Sequence, residues 1–330
     1  MTRKRNRSAL LGVTLLTSVS VLAGCGLSSG SSLSLEVGPG SIEHDPTLAD
    51  ATFTVGSKDF TENWVLGYIT LFSLSAAGAE VRDLTNIQGS NSARDALDTE
   101  QIDMYWEYTG TSWISYNGKV DPVPGAEAQY EAVAELDKAE HGLVWTAMSP
   151  VDNTYAFSMN QENAERLGVE TLSDLAELVR EQPDEATFCV ETEFASRNDG
   201  LPGMEEAYGF TAPPENVSLL GTGPIYQATA DGEVCNFGEV FTTDGRILGL
   251  DLVVLEDDKE FFPRYNASVV VREDVIEEYP QIRDVIDPVS ERLNNEAITK
   301  MNARVDVDGM DPDQVAMEWL IEEGFVTAVD

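Results

Sequence analysis

From residue 51 onward the chain alternates short β-branched and aromatic runs with amphipathic stretches of helical period. "ATFTVGS" predicts a strand. "DFTENWVLGYITLFSLSAAG" predicts a helix, opened by Asp59 and Glu62 as a capping-box pair and closed by Gly78. "AEVRDLTNI" is the next strand, "SNSARDALDTEQ" a capped helix with Ala93, Ala96 and Leu97 on one face, and "IDMYWEY" a third strand. Helix "GAEAQYEAVAELDKAEHG" and strand "LVWTAMSP" complete a first half. The second half repeats the style with different residues. Strand "NTYAFSMN", helix "TLSDLAELVRE" and strand "ATFCVET" lead to "EVCNFGEV", "DLVVLED" and "ASVVVRE", with helices "MEEAYGF" and "PIYQATADG" between, before a helical end in which "EDVIEEYPQIRDVI" reads as one helix. Such alternation restricts the chain to α/β architectures with mostly parallel sheets and ligand sites at strand C-termini.

The first residues do not belong to that pattern. "MTRKRNR" is basic, "ALLGVTLLTSVSVLAG" is a short apolar core, and Cys25 follows at once. Residues 1–24 read as a secretory signal peptide, too short and wrongly flanked for a spanning helix. "LAGC" matches the bacterial lipobox, in which the Cys25 thiol is acylated; an ordinary signal peptide that happens to precede a cysteine is the alternative. Residues 25–50, rich in Ser, Gly and Pro, are expected to be a flexible tether. These features place the protein on the outer face of the cytoplasmic membrane, held there by lipid and not crossing it.

Within its 330 residues, 59 Asp+Glu stand against 20 Lys+Arg, a net charge of −39. That surface excludes nucleic acid as a partner and suits solubility outside the cell. Two histidines, His44 and His141, leave little for a zinc site or a His-based triad, and no cofactor is expected. Cys189 and Cys235 remain once Cys25 is acylated; in an exported chain a disulfide is expected, with two buried thiols as the alternative. "GTGP" at 221–224 lacks the length and the Lys of a phosphate loop, and no Ser or Cys has a base beside it. A surface enzyme is therefore a remote alternative.

Several linked motifs carry more specific information. "FTVGSKDFTENWVLGYI", "GSNSARDALDTEQIDMYWEYTGT", "DNTYAFSM", "EFASRNDGLPGMEEAYGF", "DGRILGLDLVVLEDDKEFFPRYNAS" and "MNARVDVDG…PDQVAMEWL" occur in that order. Together they resemble the substrate-binding lipoproteins of osmoprotectant ABC importers, the glycine betaine, carnitine and choline class. The resemblance implies a two-lobed periplasmic-binding-protein fold of type II topology. Lobe 1 would hold residues 51–155 and 258–330, and lobe 2 residues 156–257. A monomer is expected to capture a quaternary-ammonium solute and deliver it to an importer permease and ATPase.

A quaternary ammonium has no N–H to donate, so aromatic faces suit it. By motif position the resemblance assigns Tyr108 and Tyr155 as walls, Phe241 where the family often has tyrosine, and Tyr265 as a fourth ring. Phe241 keeps the π face and loses the hydroxyl. It therefore leaves open another betaine, such as a trimethylated histidine derivative, or an aromatic compound. Lys58 and Arg197 are the candidate partners of a ligand carboxylate, and Thr111, Asn153 and Thr242 add hydrogen bonds. Tyr105 and Trp106 are expected to be structural.

Overall fold

The computed structural model describes residues 33–120 and 122–329. The expected signal peptide, Cys25 and the start of the tether lie outside them. Along the chain run β1 (Val37–Pro39), β2 (Thr52–Lys58), β3 (Glu80–Ile87), β4 (Met104–Tyr108) and β5 (Leu143–Trp145). They are followed by β6 (Tyr155–Asn160), β7 (Phe188–Val190), β8 (Val217–Leu219), β9 (Phe237–Phe241), β10 (Leu252–Val254), β11 (Ala267–Arg272) and β12 (Val326–Ala328).

Two five-stranded sheets organise these strands, in the orders β3-β2-β4-β11-β5 and β10-β6-β9-β7-β8. In the first, β2 pairs parallel with β3 and β4, and β11 runs antiparallel to β4 and β5. In the second, β7 pairs parallel with β8 and β9, and β6 runs antiparallel to β9 and β10. Each sheet thus has one strand against the common direction. Those two, β6 and β11, follow the two places where the chain passes between sheets. There Asp152 bridges Asn266, and the Asn153 N–H donates to the Tyr265 carbonyl at 3.2 Å.

The first sheet is buried on both faces, which is why all five β4 residues, "MYWEY", are buried. Trp106 packs into the large core with the helix Thr61–Ala76 and donates its indole N–H to Thr70 Oγ1 at 2.8 Å. Tyr105 faces the opposite way, into a smaller core with Leu97, Val133 and Trp145. The helix Ala126–His141 closes that side through Asp137, which is fully buried and accepts from Arg94 (3.1 Å), Ser112 (2.8 Å), Asn117 (3.0 Å) and Trp145 (2.8 Å).

Three local readings change. The tether ends before residue 50: β1 pairs antiparallel with β12, and Ile42 and Leu48 are buried, because these apolar residues anchor an otherwise polar stretch. The helix expected over 273–286 is two, Glu273–Glu278 and Ile282–Arg292, since Pro280 lacks an N–H and drives Tyr279 out of the helical region. The capping box at Asp59 and Glu62 is absent. Asp59 instead accepts from the Gly89 N–H at 3.0 Å, and Glu62 turns inward. By contrast, Thr171 and Asp174 do form a reciprocal capping box on the helix Leu172–Glu181.

In the second lobe a disulfide joins Cys189 and Cys235, their Cα atoms 5.7 Å apart. Cys189 lies on β7, whereas β9 begins only at Phe237, so Cys235 sits just ahead of it.

Candidate ligand-binding site

Strands that share a direction bring their C-terminal ends to one place. The chain leaves β2 at Lys58, Asp59 and Phe60, β4 at Tyr108, β7 at Glu191 and Glu193, and β9 at Phe241. The two crossing segments add Asn153, Tyr155 and Tyr265. All of these line one cavity of about 510 Å³ between the lobes, with Ser90, Thr111, Arg197 and Thr222.

Its apolar wall is a continuous series of rings. Tyr108 lies 6.1 Å from Phe60, and Phe60 stacks on Phe241 at 5.4 Å with 25° between planes. Phe241 lies 5.2 Å from Tyr155, which meets Tyr265 edge-on at 5.4 Å. Burial pushes the phenols of Tyr108, Tyr155 and Tyr265 well above the usual tyrosine range, so these rings stay neutral and present their negative faces. Cationic groups of the protein already rest on two of them: Lys58 Nζ is 5.2 Å from the Tyr108 centroid, and Arg197 Cζ is 5.7 Å from that of Tyr155.

The polar wall is acidic. Lys58 Nζ meets Glu107 Oε1 at 2.5 Å in a buried pair. Arg197 donates through Nε to Asp199 at 2.8 Å and through Nη1 to Glu193 at 2.8 Å, and Asp199 also accepts from Tyr265 Oη at 2.5 Å. Both predicted carboxylate partners therefore line the cavity with an internal carboxylate attached. Burial raises the Glu191 carboxyl pKa, opposed by its hydrogen bond from Thr222. Burial acts the same way on Glu193, but the charges of Arg197 and Lys58 and bonds from Arg197 and Ser90 outweigh it and lower its pKa.

Of the residues singled out from sequence, Lys58, Tyr108, Thr111, Asn153, Tyr155, Arg197, Phe241 and Tyr265 come together here. Thr242 does not. It is exposed and gives its N–H to the Thr154 carbonyl at 3.0 Å, because the chain turns after β9 and buries Thr243 instead. Sequence reasoning missed Asp59, read only as a helix cap, and Phe60, Ser90, Glu191, Glu193 and Thr222. Ser90, Glu191 and Thr222 directly follow a strand or start a helix, a position that strand-end reasoning could have flagged.

Over residues 51–322 the chain matches the family described as the substrate-binding domain of the ABC-type glycine betaine transport system. The chain belongs to that family. A glycine-betaine-binding protein of Pseudomonas aeruginosa is 40% identical to this binding protein over 281 residues, covering 83% of this chain and 89% of that one. The ergothioneine transport permease/ergothioneine binding protein EgtU of Helicobacter pylori is 30% identical over 274 residues, 83% of this chain and 48% of its own. Among solved structures, apo YehZ from Escherichia coli superimposes with a TM-score of 0.62 at 30% identity, over 84% of this chain and 99% of the other. The two-lobed type II architecture is the family's fold, and the binding proteins of ABC importers work outside the cytoplasm. No helix among the described residues is long and apolar enough to cross a membrane.

Proposed function

We propose that this protein captures a quaternary-ammonium solute, such as glycine betaine, choline or carnitine, and hands it to an ABC importer permease and its ATPase. The observation that carries this reading is the unbroken series Tyr108, Phe60, Phe241, Tyr155 and Tyr265 around an acidic cleft. Each ring face attracts a cation by about 0.5–2 kcal/mol. With Lys58 and Arg197 carrying internal counter-ions, the remaining charge of the lining (Asp59, Glu191, Glu193) favours a cation over an anion. Thr111 and Asn153 supply hydrogen bonds, and the spare N–H groups of Arg197 serve a ligand carboxylate where one is present. The protein acts as a monomer on a lipid anchor at Cys25, and the cycle includes no chemical step.

Titration calorimetry with glycine betaine, choline and carnitine tests this directly. Binding of at least one is expected, with the ligand recovered unchanged; no heat from any of them overturns the reading. A second reading, a trimethylated histidine betaine, is favoured by the Phe60–Phe241 stack. That stack offers a flat apolar surface for an aromatic ring to lie against, and the related Helicobacter protein is named for such a ligand. Ergothioneine added to the same titrations separates the two.

A further inference from the structure

Glu62 occupies a place that its helix does not explain. It is the second residue of Thr61–Ala76, where a carboxylate usually faces the solvent and the helix terminus. Instead it is 3% exposed. Its Oε1 accepts from Tyr108 Oη at 2.8 Å and Asn153 Nδ2 at 3.0 Å, and its Oε2 accepts from Thr243 Oγ1 and from Asn302 Nδ2 at 3.2 Å. Asn302 Nδ2 also reaches the Thr243 carbonyl at 3.0 Å.

These donors come from four segments: the end of β4, the first crossing, the loop after β9 in the second lobe, and the helix Asn295–Asp306 of the first. No Lys or Arg pairs with Glu62 among the described residues. A carboxylate removed from water without a cation depends on its hydrogen bonds alone. Burial pushes its pKa up, and all four bonds oppose that shift without cancelling it. A small cavity of about 210 Å³ beside the ring-lined one is bordered by Glu62, Asn153, Thr243 and Asn302, with Phe60 and Phe241 common to both. Three of the donors stay with the first lobe or the crossing. Thr243 alone comes from the second lobe.

We propose that Glu62 is a positioning residue that couples the ring wall to lobe closure. Its carboxylate holds Tyr108 and Asn153, both lining the cleft, in their ligand-ready places while Thr243 of the second lobe completes the set. Opening the lobes removes the Thr243 bond and admits water to the carboxylate, which then releases its hold on both cleft groups. A ligand that favours the closed form thereby also favours the ordered wall. The ligand half of this inference rests on the proposed function; the closure half does not.

The test compares wild type with Thr243→Val, Thr243→Ser and Glu62→Gln. It uses X-ray scattering on the ligand-free protein and calorimetric titration with choline and with glycine betaine. Thr243→Val and Glu62→Gln are expected to enlarge the radius of gyration and to weaken binding about tenfold or more, as loss of a hydrogen bond to a charged group implies. Thr243→Ser keeps the hydroxyl and is expected to restore both. Should Glu62→Gln fail to fold, the isosteric Thr243→Val still decides. A Thr243→Val protein with the wild-type radius overturns the coupling whatever its affinity, and so does wild-type affinity with an enlarged radius. If wild type binds neither probe, nor carnitine, the functional reading fails, and the radii of the Val and Ser variants still confirm or overturn the closure role.

Discussion

Lys58 and Glu107 face each other from the neighbouring strands β2 and β4, Nζ to Oε1 at 2.5 Å, with 3% and 1% of their side chains exposed. The ammonium that the sequence offers to a ligand carboxylate is thus committed to the protein. Tyr105 Oη and the Tyr108 N–H complete the shell around Glu107. Lys58→Met leaves that carboxylate buried and unpaired, and a loss of about 3–5 kcal/mol in urea unfolding is expected. Affinities for choline and glycine betaine should then change by the same factor. A selective loss of betaine would make Lys58 a carboxylate receptor after all.

Phe241 is where ring and core roles separate. It touches Phe60 across the cleft and Tyr155 beside it, so Phe241→Leu removes one π face and keeps the bulk. Calorimetry should show binding weakened roughly 2- to 30-fold, matching one cation–π contact. Trp106→Ala, inside the first lobe, should cost about 3–5 kcal/mol of stability. An unchanged affinity in the Phe241 variant would remove that ring from the wall.

The disulfide closes a loop with a sequence separation of 46 residues. Chain-entropy arguments assign such a loop about 4 kcal/mol. A Cys189→Ala, Cys235→Ala protein should unfold at correspondingly lower urea. Ligand affinity should hold, because neither residue lines the cleft. Intact-mass measurement with and without reductant checks the bond itself.

Asp137 ties the helix Ala126–His141 to its sheet. Burial alone would raise its carboxyl pKa, but the Arg94 charge and bonds from Asn117, Arg94 and Ser112 outweigh that and hold it below 3.8. A depressed folded-state value contributes stability above the unfolded pKa, and that contribution is lost as pH falls through the folded one. Asp137→Ala should therefore lose about 3–5 kcal/mol at neutral pH. Its deficit relative to wild type should shrink as pH drops below about 4. A deficit that stays constant with pH would mean that packing, and not the ion pair, is what the substitution removes.

Much of the fold was legible because strands and helices here differ in hydrophobic period, and "IDMYWEY" or "ASVVVRE" admits no helical reading. The pairing of β1 with β12 was not, since Val37 and Ala328 meet only after the whole chain has folded between them. Tyr108 and Tyr155 could be found from motifs at strand ends. Phe60 and Glu62 could not: read locally, they belong to a helix start, and only the opposite lobe gives Phe60 its stack with Phe241 and Glu62 its bond from Thr243. Thr242 against Thr243 is an error of one residue, decided by a turn that periodicity does not register.

The antiparallel pairing of β1 with β12 also has a mechanical meaning. A pull on the N-terminus enters at Val37 and passes straight to Val326–Ala328 at the other end of the chain. From there it spreads into the first lobe through the helices Thr61–Ala76 and Pro312–Glu322. The second lobe lies off that line of force and can swing without load, whatever tension the leading segment carries.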